Sequence, residues 1–241
     1  MKILNDLKVD GSLKIYQDPA YCNYTMDSLL LFHFIKITKK MNKCVELCSG
    51  NGAINLLLGS TYPELDIRAV EIQEQMSYLN NESIKINNLL NIKTINKDLI
   101  NISKEIGSNQ YQLVVCNPPY FKVDEDSNIN PSSNLAIARH EILVSIEQII
   151  EESRILLDNK GSLYIVFRPQ RIVELTDSLL KNGFVINTIQ YVHPFLDKPA
   201  TTVLIEAKKG TRQDQTIVKE PIIVYEEQDK YTTQVEKIIN F

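Results

Sequence analysis

A short apolar run, Cys44-Val45-Glu46-Leu47-Cys48, breaks at Ser49-Gly50-Asn51-Gly52 directly into a helical pattern carried by Ile54, Leu57 and Leu58. A run this short and this apolar reads as a strand buried on both faces, and its passage through a glycine turn into a helix is the first half of a parallel crossover unit. The pattern repeats. Residues 65–71 form a second strand ending in Glu71, and a polar helix follows to about residue 90. A brief strand at 92–95, the pair Asp98-Leu99, a short helix and the apolar run Leu113-Val114-Val115-Cys116 come next. After these the spacing predicts a helix over 135–157, a strand over 162–167 and a helix over 170–181 stopped by Gly183. Apolar runs at 184–192 and 201–207, separated by His193-Pro194-Phe195, close the sheet as an antiparallel edge. The fold class is α/β, doubly wound around a mostly parallel sheet.

Additions flank this core. In residues 1–42, Leu7-Lys8-Val9 and Leu13-Lys14-Ile15-Tyr16 flank Asp10-Gly11 as a hairpin signal, and Leu30, Phe34 and Ile37 give a helical stripe over 26–41. The core spans 43–208, and a tail over 209–241 carries Ile222-Ile223-Val224-Tyr225 and a short helix. No linker separates these parts, so one domain with terminal additions is expected. Cys22, Cys44, Cys48 and Cys116 form no Cys-x-x-Cys pair and no histidine stands at metal spacing, so no metal site is expected and the thiols read as buried. No run has the length of a membrane span and the start lacks a secretory core, which points to the cytoplasm. The net charge is −4, yet residues 160–212 hold eight basic against four acidic side chains. Such a local excess is what a footprint on a phosphate backbone requires.

The chemistry concentrates where strands end. Asn117-Pro118-Pro119-Tyr120 follows the run at 113–116, at the carboxyl end of a strand, where open α/β sheets place ligands. An exocyclic amine on a base is a poor nucleophile because its lone pair is delocalised into the ring. Acceptors aimed at its hydrogens favour rehybridisation: the Asn117 side-chain oxygen is one, and the Pro118 carbonyl, on a chain stiffened by Pro119, is another. Tyr120 offers a face on which an extruded purine can stack. Gly50 and Gly52 let backbone approach a ligand, and Glu71 stands where an acid can bind ribose hydroxyls, with Ile72 beside it. A dinucleotide is disfavoured because Asn55 stands in place of a third glycine. S-adenosylmethionine fits better: it has no phosphate, Glu46 and Asp27 answer its cationic groups, and Asp98 and Leu99 suit an adenine. Asp98 can equally cap the helix that follows it.

In order and spacing, Val45 to Gly52, Glu71, Asp98 and Asn117 to Tyr120 resemble the motifs of Rossmann-type S-adenosylmethionine-dependent amino-methyltransferases. Tyr24-Thr25-Met26-Asp27-Ser28-Leu29-Leu30, Ala138-Arg139-His140-Glu141 and Arg168-Pro169-Gln170-Arg171 narrow the resemblance to the tRNA(Val) adenine-N6 methyltransferases, over nearly the whole chain. That resemblance implies a seven-stranded class I methyltransferase sheet, Thr25 and Asp27 at the cofactor's methionine end, and N6-methylation of adenine 37 beside the anticodon of a valine tRNA. The chain departs from the family at Cys48, where the general pattern has glycine. The first turn must then be made with a side chain present. For the tRNA itself, Arg139, Arg168, Arg171 and Lys122 are candidate phosphate contacts, as are Lys36, Lys39, Lys40 and Lys43. The arginines can instead pair within the chain with Glu141 and Glu174, and the lysines can instead favour a helix C-terminus. Residues 123–134 are polar and turn-rich, in the position of a lid. Two rival substrates use the same electronics, a protein glutamine and adenine in DNA. A release-factor methylase is expected to carry a separate N-terminal helical domain that this sequence does not show. A non-catalytic nucleotide- or RNA-binding module is the alternative of another class.

Overall fold

A computed structural model of the chain describes residues 2–21, 24–119, 144–210 and 215–240. Strands β1 (Ile3–Asp6) and β2 (Lys14–Gln17) pair antiparallel ahead of helix α1 (Met26–Phe34). The crossover units follow as β3 (Lys43–Leu47), α2 (Ala53–Thr61), β4 (Asp66–Glu71), α3 (Glu74–Ile86), β5 (Ile92–Asn96), α4 (Ser103–Ile106) and β6 (Tyr111–Cys116). Then come α5 (Ile146–Leu156), β7 (Leu157–Phe167), α6 (Ile172–Lys181), β8 (Phe184–His193) and β9 (Thr202–Lys209). The tail contributes β10 (Ile217–Val218), β11 (Ile222–Ile223), a small hairpin of β12 (Tyr225–Glu227) and β13 (Lys230–Tyr231), and α7 (Thr233–Ile239).

The main sheet runs β8-β9-β7-β6-β3-β4-β5, with β10 and β11 added in parallel outside β8. Within it only β9 is antiparallel to its neighbours, and it lies between β7 and β8 rather than at the margin. The apolar strands are explained by this placement. Along β6, Leu113 and Val115 pack with Leu57 of α2 and Leu30 of α1 on one face, while Val114 and Cys116 pack with Ile149 of α5 and Leu175 of α6 on the other. A strand buried on both faces shows no polar alternation. Between β3 and β6 the chain leaves the sheet in opposite directions, and the carboxyl ends of these two strands diverge around a crevice, as at the switch point of any doubly wound sheet.

Three expectations shift. The first hairpin arm is Ile3–Asp6, because Leu7 and Leu13 leave the ladder for the core. The outer edge of β2 is closed by α3: the Tyr16 amide donates to Ser83 Oγ (2.8 Å) and the Lys14 amide to Asn87 Oδ1 (2.8 Å). Helix α1 stops at Phe34 rather than near residue 41, since Ile35 turns to extended backbone and buries its side chain, and Ile35, Ile37 and Thr38 are stiff β-branched residues. The helix expected over 135–157 is described only as α5, whose start is fixed by a reciprocal cap between Ser145 and Gln148.

Candidate active site

The turn after β3 is built on left-handed backbone. Cys48 has φ 57°, Gly50 54° and Gly52 93°. For a residue with a Cβ this conformation costs roughly 1–2 kcal/mol. Cys48 therefore makes, with a side chain present, the bend that the general motif gives to glycine. The turn is tied down from β4 and from within. The Glu71 carboxylate accepts from the Gly50 amide (2.8 Å) and the Gln73 amide (2.8 Å), the Ser49 amide donates to the Val70 carbonyl (3.0 Å), and the Gly52 amide to the Ser49 carbonyl (2.9 Å). Gly52 faces the protein rather than the crevice: a Cβ there would sit 2.0 Å from Asn80 Oδ1. It is a packing glycine, whereas Gly50 lines the crevice.

That crevice is a cavity of about 310 Å³. Its walls follow the carboxyl ends of the strands: Asp98 and Leu99 after β5, Glu71 and Ile72 at the end of β4, Glu46, Cys48 and Gly50 from β3 and its turn. Asn117, Pro118 and Pro119 enter from β6, and Thr25 and Asp27 from the start of α1. Every residue expected to hold a cofactor, Gly52 excepted, borders this one space. Asp98 closes a local turn by accepting from the Ile100 amide (2.9 Å), but it does not cap the helix that follows, since α4 starts only at Ser103 with Ile102 before it. Tyr120, Lys122, the loop at 123–134 and Arg139-His140-Glu141 lie outside the described residues.

Glu46 is 2% exposed and accepts from the Asn55 amide nitrogen at 2.7 Å. Burial raises its pKa to about 8; the Asn55 hydrogen bond opposes the shift and the nearby Glu71 charge adds to it. Burial thus favours the protonated carboxyl as long as no cation stands beside it. Asn55, in the place of a third fingerprint glycine, is spent on holding this acid, and that is the physical reason the dinucleotide pattern is broken here. Ser49 Oγ and Asn51 Nδ2 are buried on the same cavity wall with no hydrogen-bond partner among the described residues. Buried polar atoms without a partner among the described residues, beside a buried acid with no cation on it, fit a ligand that brings hydroxyls and a positive charge, which is what S-adenosylmethionine offers.

At β6, the Asn117 amide nitrogen donates to Ser28 Oγ (3.1 Å). With its nitrogen so directed, the amide has its oxygen on the opposite branch, oriented as an acceptor. Pro118 is buried and Pro119 half-buried. Leu47 pairs with Cys116 in the last rung between β3 and β6, so Cys48 and Asn117 each leave the sheet from that rung and both border the crevice. Ser28 was legible only as a neighbour of Asp27; nothing in its spacing announces the bond to a residue 89 positions away.

The expected cationic contacts scatter. Arg168 borders the cavity and pairs with Asp27. Arg171 is held by Glu174 in a two-pronged pair (2.9 and 2.7 Å), the internal pairing that its sequence neighbourhood allowed. Lys36, Lys39 and Lys40 follow the end of α1 and Lys43 opens β3, with its ammonium donating to Gln110 Oε1 (3.0 Å). They therefore do not cap a helix. Lys43 stands at the amino end of β3, with the length of that strand, about 15 Å, between it and the cavity, while the Lys36 amide donates to the Tyr164 hydroxyl on β7 (3.4 Å). Phe195 packs on Tyr225, which in turn stacks on Tyr231.

Residues 17–190 match the family model described as Methyltransferase small domain. Among curated proteins, the chain is 26% identical to a release factor glutamine methyltransferase from Thermodesulfovibrio yellowstonii, over 71% of this chain and 62% of that one. It is 26% identical to a tRNA1(Val) (adenine(37)-N6)-methyltransferase from Pedobacter heparinus, over 64% of each chain. A tRNA1(Val) (adenine(37)-N6)-methyltransferase from Parabacteroides distasonis is 23% identical over 80% of this chain and 79% of its own. The matches therefore span somewhat under two thirds of the length of the first two relatives. Among solved structures, a predicted O-methyltransferase from Agrobacterium tumefaciens superposes with a TM-score of 0.69 at 19% identity, covering 89% of this chain and 95% of that one. M. jannaschii TYW2 in complex with AdoMet gives 0.57 at 14% identity, over 86% and 85%. Those identities carry the fold alone, and the fold agrees with what the strand order and the cavity already require. The family match spans both strand ends that shape the cavity, and the chain belongs to the Methyltransferase small domain family, with the class I methyltransferase fold.

Proposed function

We propose that the chain methylates N6 of an adenine in tRNA, at position 37 beside the anticodon of a valine tRNA. The observation that carries this reading is the Asn117 amide, fixed by Ser28 in the same cavity as Glu46 and Glu71 and followed by two prolines. The bound cofactor supplies an electrophilic methyl group. The chain's own work is to prepare the amine: Asn117 Oδ1 and the Pro118 carbonyl accept its two hydrogens, and the nitrogen lone pair is drawn out of conjugation. Holding the amine in line near ~3–3.5 Å then accounts for most of the rate, and the surplus proton leaves to water. Tyr120 stacks on the extruded base. Glu46 and Asp27 hold the cationic end of the cofactor and Glu71 its ribose, with Asp98 and Leu99 at the adenine.

Arg171, Arg139 and Lys122 are the proposed phosphate contacts, Arg171 by exchanging its pairing with Glu174 for a phosphate. Lys43, a strand length from the cavity, can reach only a part of the tRNA distant from the methylated base. The names of the P. heparinus and P. distasonis relatives support the tRNA substrate. The glutamine amide, named for the T. yellowstonii relative, poses the same electronic problem and is the second reading. Incubation with labelled cofactor and unmodified bulk tRNA, then nucleoside analysis, should show N6-methyladenosine. A parallel arm with a release factor should show no methylglutamine. Label in the release factor and none in tRNA overturns the proposal in favour of the second reading.

A further inference from the structure

Where α1 meets the ends of β7 and β9, two opposite charges are built into the cavity wall. Arg168 Nη2 lies 3.3 Å from Asp27 Oδ2. The Thr202 hydroxyl accepts from Arg168 Nη1 (2.9 Å) and donates to Asp27 Oδ1 (3.0 Å), which closes a ring of three residues. A further bond from Arg168 Nη1 to the Thr201 carbonyl (3.0 Å) anchors the guanidinium to backbone. The pair is partly open, with 36% and 13% side-chain exposure, and pairs of this kind add little to folding. Its placement at a ligand cavity calls for another role.

The cofactor's amino-acid end is a zwitterion, and its carboxylate needs donors. The glycine turn supplies few. The Ser49, Gly50 and Gly52 amides already donate to Val70, Glu71 and Ser49. Only Lys97 and Arg168 are cationic among the described residues that border the cavity, and Lys97 stands beside Asp98 with its ammonium on Glu105 of α4 (2.5 Å). Arg168 remains, on the side where Asp27 and Thr25 enter.

We propose that Arg168 binds the carboxylate of the cofactor's amino-acid end, while Asp27 beside it takes the ammonium. The two charges stand side by side, 3.3 Å apart and bridged by Thr202, so binding exchanges each one's internal partner for the opposite charge of the ligand. This gives Arg168 to the cofactor rather than to RNA phosphate. It rests on the S-adenosylmethionine reading of the cavity and is independent of the methyl acceptor.

Calorimetry on the full chain separates the possibilities with three ligands: S-adenosylhomocysteine, its decarboxylated analogue, which keeps the amine, and methylthioadenosine, which lacks the whole amino-acid end. Arg168→Met should weaken S-adenosylhomocysteine roughly tenfold or more and leave the other two within about twofold of wild type. Arg168→Lys should recover part of the loss. Unchanged S-adenosylhomocysteine affinity overturns the proposal. So does an equal loss for S-adenosylhomocysteine and the decarboxylated analogue, which would mean that Arg168 acts only by positioning Asp27. Loss for all three ligands would mean a damaged cavity and likewise counts against it. A wild-type chain that binds none of them removes the cofactor reading itself, and the proposal with it.

Discussion

The ends of β3 and β6 lie side by side and are made in opposite ways. After β3 the backbone does the shaping: three residues with positive φ, a buried acid, and a glycine whose missing Cβ leaves room for Asn80. After β6 side chains and rings do it, with two prolines limiting the backbone and Ser28 holding the Asn117 amide. The cofactor half of the cavity is thus defined by where backbone can go, and the acceptor half by which atom faces which. Substitutions in the first should change cofactor affinity or stability; those in the second should change turnover with affinity intact.

Asn117→Ala gives the largest separation. Methyl transfer should fall by roughly 10²–10³ or more, as for loss of a preorganised charge-stabilising group, while S-adenosylhomocysteine affinity by calorimetry stays within about twofold. Near-normal turnover would remove the contrast. On the β3 side, Gly52→Ala drives a Cβ into Asn80 at a φ of 93° and should cost about 2–3 kcal/mol, read as a fall in Tm of roughly 5–10 °C. Ser28→Ala should lower kcat roughly tenfold without weakening the cofactor, and Ser28→Thr should restore part of it. An equal fall in affinity would place Ser28 in the cofactor half.

Glu46 sharpens the comparison through pH. Its folded pKa of about 8 lies above its unfolded value, so the folded chain holds this proton more tightly. The stability it contributes is fully present below about pH 4.5 and is lost as pH rises through 8. Without ligand, thermal melts of wild type should therefore decline from pH 5 to 8.5 more than those of Glu46→Gln. Binding of the cationic ligand at pH 7 should release a proton, seen as a buffer-dependent heat that Glu46→Gln abolishes. The smallest effect belongs to Cys48→Gly, which relieves the left-handed cost and should raise stability by about 1 kcal/mol or less, with turnover unchanged.

Much of the site was legible because the signals are local. A glycine turn after a buried strand, an acid ending the next strand and Asn-Pro-Pro after another are each written within a few residues, and a doubly wound sheet has only one edge at which such ends converge. Charge was harder to place. Lys36 to Lys43 read as the end of a long helix, but α1 stops at Phe34 when Ile35 buries, before any of the four lysines, and Lys43 opens β3. Arg168 and Arg171 looked alike three residues apart, yet one finds Asp27 from α1 and the other Glu174 in the first turn of α6, which begins just after it.

The sequence by itself determined the order of strands and helices, the left-handed turn and the identity of the groups at each strand end, because these depend on periodicity, on glycine and proline, and on neighbours in the chain. Only the tertiary structure decided that Ser28 orients Asn117, that Asn55 is spent on Glu46, and that Thr202 joins Asp27 to Arg168. Hydrogen-bond partners of polar side chains are chosen across the sheet edge, between segments whose separation along the chain carries no periodic trace. Their geometry exists only once the strands have aligned.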